Sequence, residues 1–462
     1  MRSHINLKLN RVEALLGCPH WRIARVYFWP AVRLPLVWYL ESISMGASPP
    51  SAKRLEVMRH LRFAVRDFFS NLAVLPRIWR ERRAAWLIDN SNTLVLEGGR
   101  AIDRSLSPED DRALSRVVLE IAGTYEKREL SYRAREGNLL RVQRSLVLQF
   151  LASKVFSMLG LFRTQSVQVA EALDRDLGAK GRVDPAKIER IFAHAAAAVW
   201  SASWTARIWK VLLPKPTRAL IVSSYSPTQL AFLQCLQSDG IPVEEIQHGL
   251  ITAHHPGYTM RDQDYPPETL PAVMRLFGKG WISFVEAEGI VPFEGRKNKV
   301  LGVPWISNEV SRSGSSPRVL VTSQEILRED FDDFMESFAA EQSRRRVEIV
   351  IRAHPSDGSK RRERFRSLTQ RYPGVKLDDP ARGVIVSLCD GVTHHLSVFS
   401  TCLFEANSLG IVNLVPRVTF SELSKALVDR GAAVFIDPSV DLRALASQVD
   451  LGCFEPYRGV FV

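Results

Sequence analysis

Apolar, β-branched runs alternate with helix-patterned segments through the second half of the chain, and this alternation limits the fold more than any other feature. It is plainest from Val384 to Pro416, VIVSLCDGVTHHLSVFSTCLFEANSLGIVNLVP. VIVSLC predicts a strand covered on both faces. A helical run, Thr401 to Leu409, closes at Gly410, and IVNLV follows as the next parallel strand. Ser397, Ser400 and Thr401 gather at the start of that helix. Hydroxyls there either cap free backbone N–H groups or, with those groups, bind an anion. Upstream, VEIVIRAHP (347–355) predicts a strand that delivers Arg352 and His354 at its end, with Pro355 stopping regular pairing. A cation, an imidazole and a hydroxyl-rich turn on neighbouring strands suit a phosphate-bearing ligand at the carboxyl end of an open sheet. A locally bonded turn histidine is the plainer account of His354.

The same alternation starts at RALIVSSY (218–225), a strand ending in hydroxyls that include Ser223 and Ser224. A helix, SPTQLAFLQCLQSDG, and a second strand, IPVEEIQHG, follow. LPAVMRLFGKGWISFVEAEG and NKVLGVPW predict further strands, and SRSGSSP (311–317) is a flexible linker before RVLVTSQE opens another α/β series. Two α/β halves with a cleft between them are expected. Ahead of them, 84–104 suggests two short strands around a polar turn, and Ser107 to Leu212 is mostly helical in pattern. The expected division is a basic amphipathic region at 1–83, a Rossmann-like domain at 84–310 with a helical insertion at about 105–213, and a second Rossmann-like domain at 317–462.

At 462 residues the chain exceeds one ordinary core. Lys and Arg number 62 against 50 Asp and Glu, a net charge of +12, and much of the surplus lies before Trp86. There WRIARVYFWPAVRLPLVWYLE mixes Trp21, Trp29 and Trp38 with Arg22, Arg25 and Arg33, while Pro30 and Pro35 interrupt any spanning helix. An anionic membrane surface is the preferred partner for 1–83, ahead of nucleic acid; core packing beneath a solvated basic face is the competing account. The expected location is cytoplasmic, peripheral to the inner face of the cell membrane. The five cysteines form no C-x-x-C pair, so neither a zinc knuckle nor a disulfide framework is indicated.

The first α/β half has its own polar strand end. Glu244, Glu245, Gln247, His248 and Gly249 are followed by His254, His255 and Tyr258. A carboxylate and an imidazole at a strand terminus are the parts of a general base. The histidines lack a metal-ligand frame, and the Asp-x-Asp pairs Asp174/Asp176 and Asp262/Asp264 follow no convincing strand. No phosphate-binding G-x-x-x-x-G-K and no G-x-G-x-x-G occurs.

The order strand–EEIQHG–HHPGY, then RAHP, then SVFSTCLFEANSLG resembles bacterial capsule and surface-polysaccharide glycosyltransferases of GT-B architecture, a group that includes polysialyltransferase-, Kdo-transferase- and glycerophosphotransferase-like proteins. The resemblance covers about 218–416, is weaker at 84–104 and is absent from 1–80. It implies a metal-independent enzyme without cofactor. A sugar would pass from a nucleotide donor, with CMP among the candidate nucleotides, to a glycan or lipid-linked acceptor. Arg352, His354 and Pro355 would meet the donor phosphate, Ser397, Ser400 and Thr401 would hold it at the helix start, and Glu405 would reach ribose unless it is a plain helix carboxylate. Glu245 or His248 would act at the reacting centre, with Ser223, Ser224, Gln247, Gly249, His255 and Tyr258 on the acceptor side. A nucleotide-sugar epimerase of the same fold and a non-catalytic assembly subunit are the alternatives.

Overall fold

The structure is a computed structural model that describes residues 2–44, 84–90, 115–121, 139–142, 146–177, 183–213, 215–216, 218–221, 223–247, 251, 255–260, 264–276, 297–300, 317–324, 327, 329–354, 357–379, 384–429 and 431–448. It divides into two compact units. The described elements up to residue 299 belong to the first, apart from Phe277–Trp281 and Leu96–Arg100, which carry no described structure, and those from Arg318 onward belong to the second.

The first unit contains a seven-stranded sheet built on β3 (Ala84–Asn90), β4 (Ser115–Ile121), β5 (Leu139–Val142), β6 (Arg218–Ile221), β7 (Val243–Ile246), β8 (Val273–Leu276) and β9 (Lys297–Val300), after a two-stranded hairpin of β1 (Arg22–Ile23) and β2 (Val26–Tyr27). The strand order is β5-β4-β3-β6-β7-β8-β9, and the registered pairs from β5 to β8 are parallel. The chain therefore winds outward from β3 in one direction, then crosses to β6 and winds in the other. That doubly wound arrangement leaves a switch point between β3 and β6, where loops diverge at the carboxyl ends of the strands. Two of these strands, β4 and β5, lie inside the stretch expected to be helical. The short apolar run of β4 pairs with β3 and that of β5 with β4, so tertiary pairing overrides a helix-compatible pattern.

The helices of this unit are α1 (Arg2–Leu16), α2 (Trp29–Ser44), α3 (Leu146–Met158), α4 (Arg163–Leu177), α5 (Pro185–Leu212) and α6 (Pro227–Gln237). Asp184 starts α5 by accepting the Ala186 N–H at 2.9 Å, with Pro185 in the first turn, where its missing N–H costs nothing. The N-terminal helices share one core with α4, α5 and α6: Ile5, Leu9, Trp29, Val32, Leu36, Phe192, Val199 and Phe232 are all buried together. Trp29 stands edge-on to Trp21 and to Phe192, each at 5.5 Å between ring centroids.

This packing puts Trp29 and Arg33, two of the residues expected at a lipid surface, in the core instead. Arg33 has no exposed surface and pairs with Glu13 at 2.9 Å, while Trp29 donates its indole N–H to the same carboxylate at 2.8 Å. Arg33 also donates to Asn10 Oδ1 at 2.8 Å, to the Tyr265 hydroxyl at 3.1 Å and to Thr259 Oγ1 at 3.3 Å. Burial pushes the Glu13 carboxyl up and the Arg33 charge pulls it back. With two N–H donors on it, the ionised pair is the form this geometry supports. Trp29 and Arg33 thus serve a core and a buried ion pair, while Arg22, Arg25 and Trp38 are exposed. Residues 45–83, the other half of that expected surface, lie outside the described residues.

The second unit repeats the plan with β10 (Arg318–Thr322), β11 (Glu348–Arg352), β12 (Val375–Leu377), β13 (His394–Leu396), β14 (Val412–Pro416) and β15 (Val434–Ile436), in the order β12-β11-β10-β13-β14-β15 with every pair parallel. Its helices are α7 (Glu329–Arg344), α8 (Ser359–Arg371), α9 (Val384–Cys389), α10 (Cys402–Ser408), α11 (Lys425–Asp429) and α12 (Leu442–Gln448). VIVSLC is α9, not the expected strand; the strand is His394–Leu396, between α9 and the hydroxyl-rich turn. Both histidines of that strand are fully buried, which is why the polarity of the segment misleads. The fold class is thus α/β, with two Rossmann-type units.

Candidate functional site

In the second unit the switch point falls between β10 and β13, so the loops after Thr322 and after Leu396 are where a ligand crevice is expected. These loops are tied together. Ser397 donates its hydroxyl to the Thr322 carbonyl at 3.1 Å, and Gln324 Oε1 accepts the Phe399 N–H at 3.2 Å. The third loop, after β11, joins them: the His354 N–H donates to Ser323 Oγ at 2.8 Å and to Asp357 Oδ2 at 2.7 Å, and Ser323 donates to the same carboxylate oxygen. Arg361 braces the arrangement from α8, donating to the Gln324 carbonyl at 3.0 Å and pairing with Asp332 at 2.9 Å.

The predicted residues are distributed as follows. His354 is half-buried at the carboxyl end of β11, with its backbone fixed as described. Ser400 and Thr401 are half-buried at the entry to α10, where Ser400 Oγ accepts the Cys402 N–H at 3.2 Å, a local cap. Glu405 lies one turn into α10, and its charge is among the causes that, after burial, push the Cys402 thiol up to about 12. Arg352 acts on the same thiol in the opposite sense, which puts the end of β11 near the start of α10. Arg352 is not a bare cation, however: it pairs with Asp378 at 2.6 Å, and Ser387 donates to that carboxylate at 2.7 Å. Ser397 departs from expectation. It is fully buried and its hydroxyl serves the sheet, so it ties the loop rather than facing a ligand. Pro355 lies outside the described residues.

Beneath this end of the sheet, His395 connects three strands. Its Nδ1 lies 3.1 Å from Asn413 Oδ1 and its Nε2 lies 2.9 Å from Thr322 Oγ1. The Asn413 amide donates to the Leu403 carbonyl and, at 3.2 Å, to that of Ala432, which fixes its oxygen as an acceptor. Nδ1 therefore carries the proton and Nε2 accepts from the Thr322 hydroxyl. Burial lowers the His395 pKa to about 4, and that of His394 likewise.

The first unit carries a second cluster at the ends of β6 and β7. Ser223 adopts φ 59°, the left-handed region uncommon for serine, as the chain turns from β6 into α6. Glu245, fully buried at the end of β7, accepts the Ser224 N–H at 3.3 Å and the Tyr258 hydroxyl at 3.0 Å. His255 packs between two tyrosines, its centroid 5.1 Å from Tyr225 and 4.8 Å from Tyr258. The Gly257 N–H donates to its Nδ1 at 3.2 Å, so Nε2 bears the proton and points it at the Tyr225 hydroxyl, 3.3 Å away. A side chain at Gly257 has no room: its Cβ would lie 2.2 Å from the Tyr225 ring. Burial first, then the Glu245 charge, push the Tyr225 phenol well above its usual range. Gln247 is buried, and its N–H donates to the Arg275 carbonyl at 2.9 Å, a structural bond beside the cluster. His248 and Gly249 lie outside the described residues, as do His254 and Asp262.

The N-terminal helices hold this loop. Asn10 donates to the Thr259 carbonyl at 3.0 Å and Arg33 to its hydroxyl, one residue beyond Tyr258. Tyr225, Asp357 and Gln324 were not singled out from sequence, and Gly257 was read only as part of HHPGY, without a role of its own. Among them, the adjacency of Tyr225 to the Ser223–Ser224 strand end and the place of Gly257 in that motif carried a signal. Among the described residues, no group of three or more His, Cys, Asp or Glu is placed to hold a metal ion.

Chemically, the cluster in the first unit offers a carboxylate and a neutral imidazole, each bonded to a phenol, which can receive and pass a proton. The rim in the second unit offers backbone and hydroxyl groups beside an imidazole, a set suited to orienting phosphate oxygens. No protein-family profile and no curated protein matches the chain. Among solved structures, a Staphylococcus aureus MnaA–UDP co-structure is 13% identical with a TM-score of 0.45, covering 82% of this chain and 91% of that one. The calicheamicin glycosyltransferase CalG4 is 10% identical with a TM-score of 0.45, over 82% and 94%. A Neisseria meningitidis UDP-GlcNAc 2-epimerase bound to UDP-GlcNAc is 15% identical with a TM-score of 0.42, over 82% and 94%. At these identities and scores the similarities assign no family, and the two doubly wound sheets themselves define the class to which the chain belongs.

Proposed function

We propose that this chain is a glycosyltransferase that moves a sugar from a nucleotide-activated donor to a surface-glycan or lipid-linked acceptor without a metal ion, working at the cytoplasmic face of the membrane. The observation that carries the reading is the switch point between β10 and β13, where three loops bearing Ser323, Gln324, His354 and Ser400 are hydrogen-bonded into one rim. The nucleotide phosphate would sit on that rim, held by His354, Ser400 and Thr401, with Glu405 toward the ribose. In the first unit, Glu245 is the candidate base, with the Tyr258 hydroxyl bonded to it and the His255–Tyr225 pair beside it. The solved structures similar in fold include glycosyltransferases and, with UDP-GlcNAc bound, UDP-GlcNAc 2-epimerases; product analysis separates the two activities.

The test is a titration with CMP, UDP, GDP and CDP, repeated on His354→Ala. Loss of one charge-assisted hydrogen bond should weaken nucleotide binding by about 1.5–3 kcal/mol. Arg352 is a poorer probe, because its removal strands the buried Asp378 carboxylate. Unchanged affinity in a folded His354→Ala protein removes the phosphate assignment. Conversion of the nucleotide-sugar to an epimer without transfer favours the epimerase.

A further inference from the structure

Helices α3 and α5 pack side by side and run in the same direction: Gln149 Nε2 lies 3.3 Å from His194 Nε2, and farther along Phe156 meets Trp200 at 6.2 Å between centroids. Each helix buries one face in the unit and leaves the other uncovered. On α3 the uncovered stripe is Leu151, Val155 and Met158, with Phe150 exposed beside it; on α5 it is Trp204, Ile208 and Val211. Met158 is 79% and Val211 76% exposed. Spacings of three and four residues put Trp204, Ile208 and Val211 on one face. The Trp200 ring joins the two stripes, touching Phe156 on one side and Trp204, at 6.4 Å, on the other. Exposed apolar residues normally occur singly; a continuous strip over two helices marks a surface that meets something apolar.

The charges identify what that is. From Leu146 to Ala170 and from Arg190 to Leu213 the sequence contains no Asp or Glu. Lys154 lies 5.6 Å from the Phe150 ring centroid and Arg207 lies 5.4 Å from that of Trp204. Cations lying against exposed aromatic rings, without interspersed carboxylates, match a headgroup layer, where rings enter the acyl boundary and cations meet phosphate. No described helix is long and apolar enough to cross a membrane, so the contact lies along the surface.

We propose that the α3–α5 face is the membrane-docking surface, binding an anionic lipid bilayer. This rests on the membrane setting of the proposed function but not on its transfer chemistry. It also places the lipid contact outside the N-terminal helices, where Trp29 and Arg33 are core.

The experiment is flotation of the full chain with vesicles of phosphatidylcholine alone or with phosphatidylglycerol added. Wild type should float with the anionic vesicles more than with the neutral ones. Met158→Glu with Ile208→Glu should weaken partitioning about tenfold or more on both, because apolar insertion is lost. Lys154→Glu with Arg207→Glu should weaken it about tenfold on anionic vesicles only. Arg22→Glu with Arg25→Glu, at exposed positions between α1 and α2, should leave it unchanged. Nucleotide affinity, measured on the same proteins, should not move; if no nucleotide binds even wild type, the transferase reading fails while flotation still decides the surface. Failure of wild type to float, flotation undiminished in both α3–α5 variants, or loss in the Arg22/Arg25 variant instead would overturn the proposal. So would a wild-type dimer that Met158→Glu with Ile208→Glu dissolves, which would assign the face to a second copy of the chain.

Discussion

Acidification should loosen the second unit at β13 before carboxylate protonation becomes general. His395 is fully buried and neutral, with Nδ1–H donated to Asn413 and Nε2 accepting from Thr322. Its folded pKa, lowered to about 4 by burial, lies below the ordinary 6.5. Between these values the unfolded chain binds a proton that the folded chain does not, so stability rises with pH there. The contribution is fully present above 6.5 and is lost as pH falls toward 4. The full gap is worth about 3 kcal/mol, of which about 2 kcal/mol is lost between about pH 7 and pH 5. Against a typical total of about 5–15 kcal/mol this is a measurable fraction. His394, lowered to about 4 chiefly by burial, acts in the same direction. Hydrogen exchange of the β13–β14 peptide, corrected for intrinsic rates, should report an opening free energy that falls by at least that amount. His395→Asn keeps a donor near Nδ1 but cannot titrate; it should cost about 1–2 kcal/mol at neutral pH and flatten the dependence. A His395 ring that titrates near 6.5 by NMR, or protection that does not change from about pH 7 to pH 5, would refute the reasoning.

Breaking the buried pair in the N-terminal helices should be costly: Arg33→Met leaves the Glu13 carboxylate uncompensated and should lose about 3–5 kcal/mol, seen as a large drop in Tm, with Glu13→Gln/Arg33→Met recovering part of it. Gly257→Ala should displace the Tyr225 ring, costing about 1–3 kcal/mol of stability in the first unit and shifting the His255 tautomer balance seen in ring 15N shifts; a wild-type spectrum would show the loop has room that the geometry denies.

The local sequence determined much of this protein. Alternation of apolar strands and helix-patterned segments specified an α/β chain with two sheets, because period and burial are written into neighbouring residues. It also placed Glu245 at the end of β7 and His354 at the end of β11, since strand termini are marked by the residues that stop them. What failed were judgements that turned on whether a segment or side chain is covered by partners distant in sequence. VIVSLC has strand composition, yet it is helix α9, while HHL, polar by composition, became the central β13 because Asn413 and Thr322 satisfy His395. Arg33 and Trp29 look like headgroup residues until Glu13, Tyr265 and Phe192 surround them. Phe150 and Trp204 share one uncovered face only because α3 packs along α5. Residue type sets what a side chain can bond to; whether it meets water, lipid or a buried partner is decided by chain segments that the local sequence does not contain.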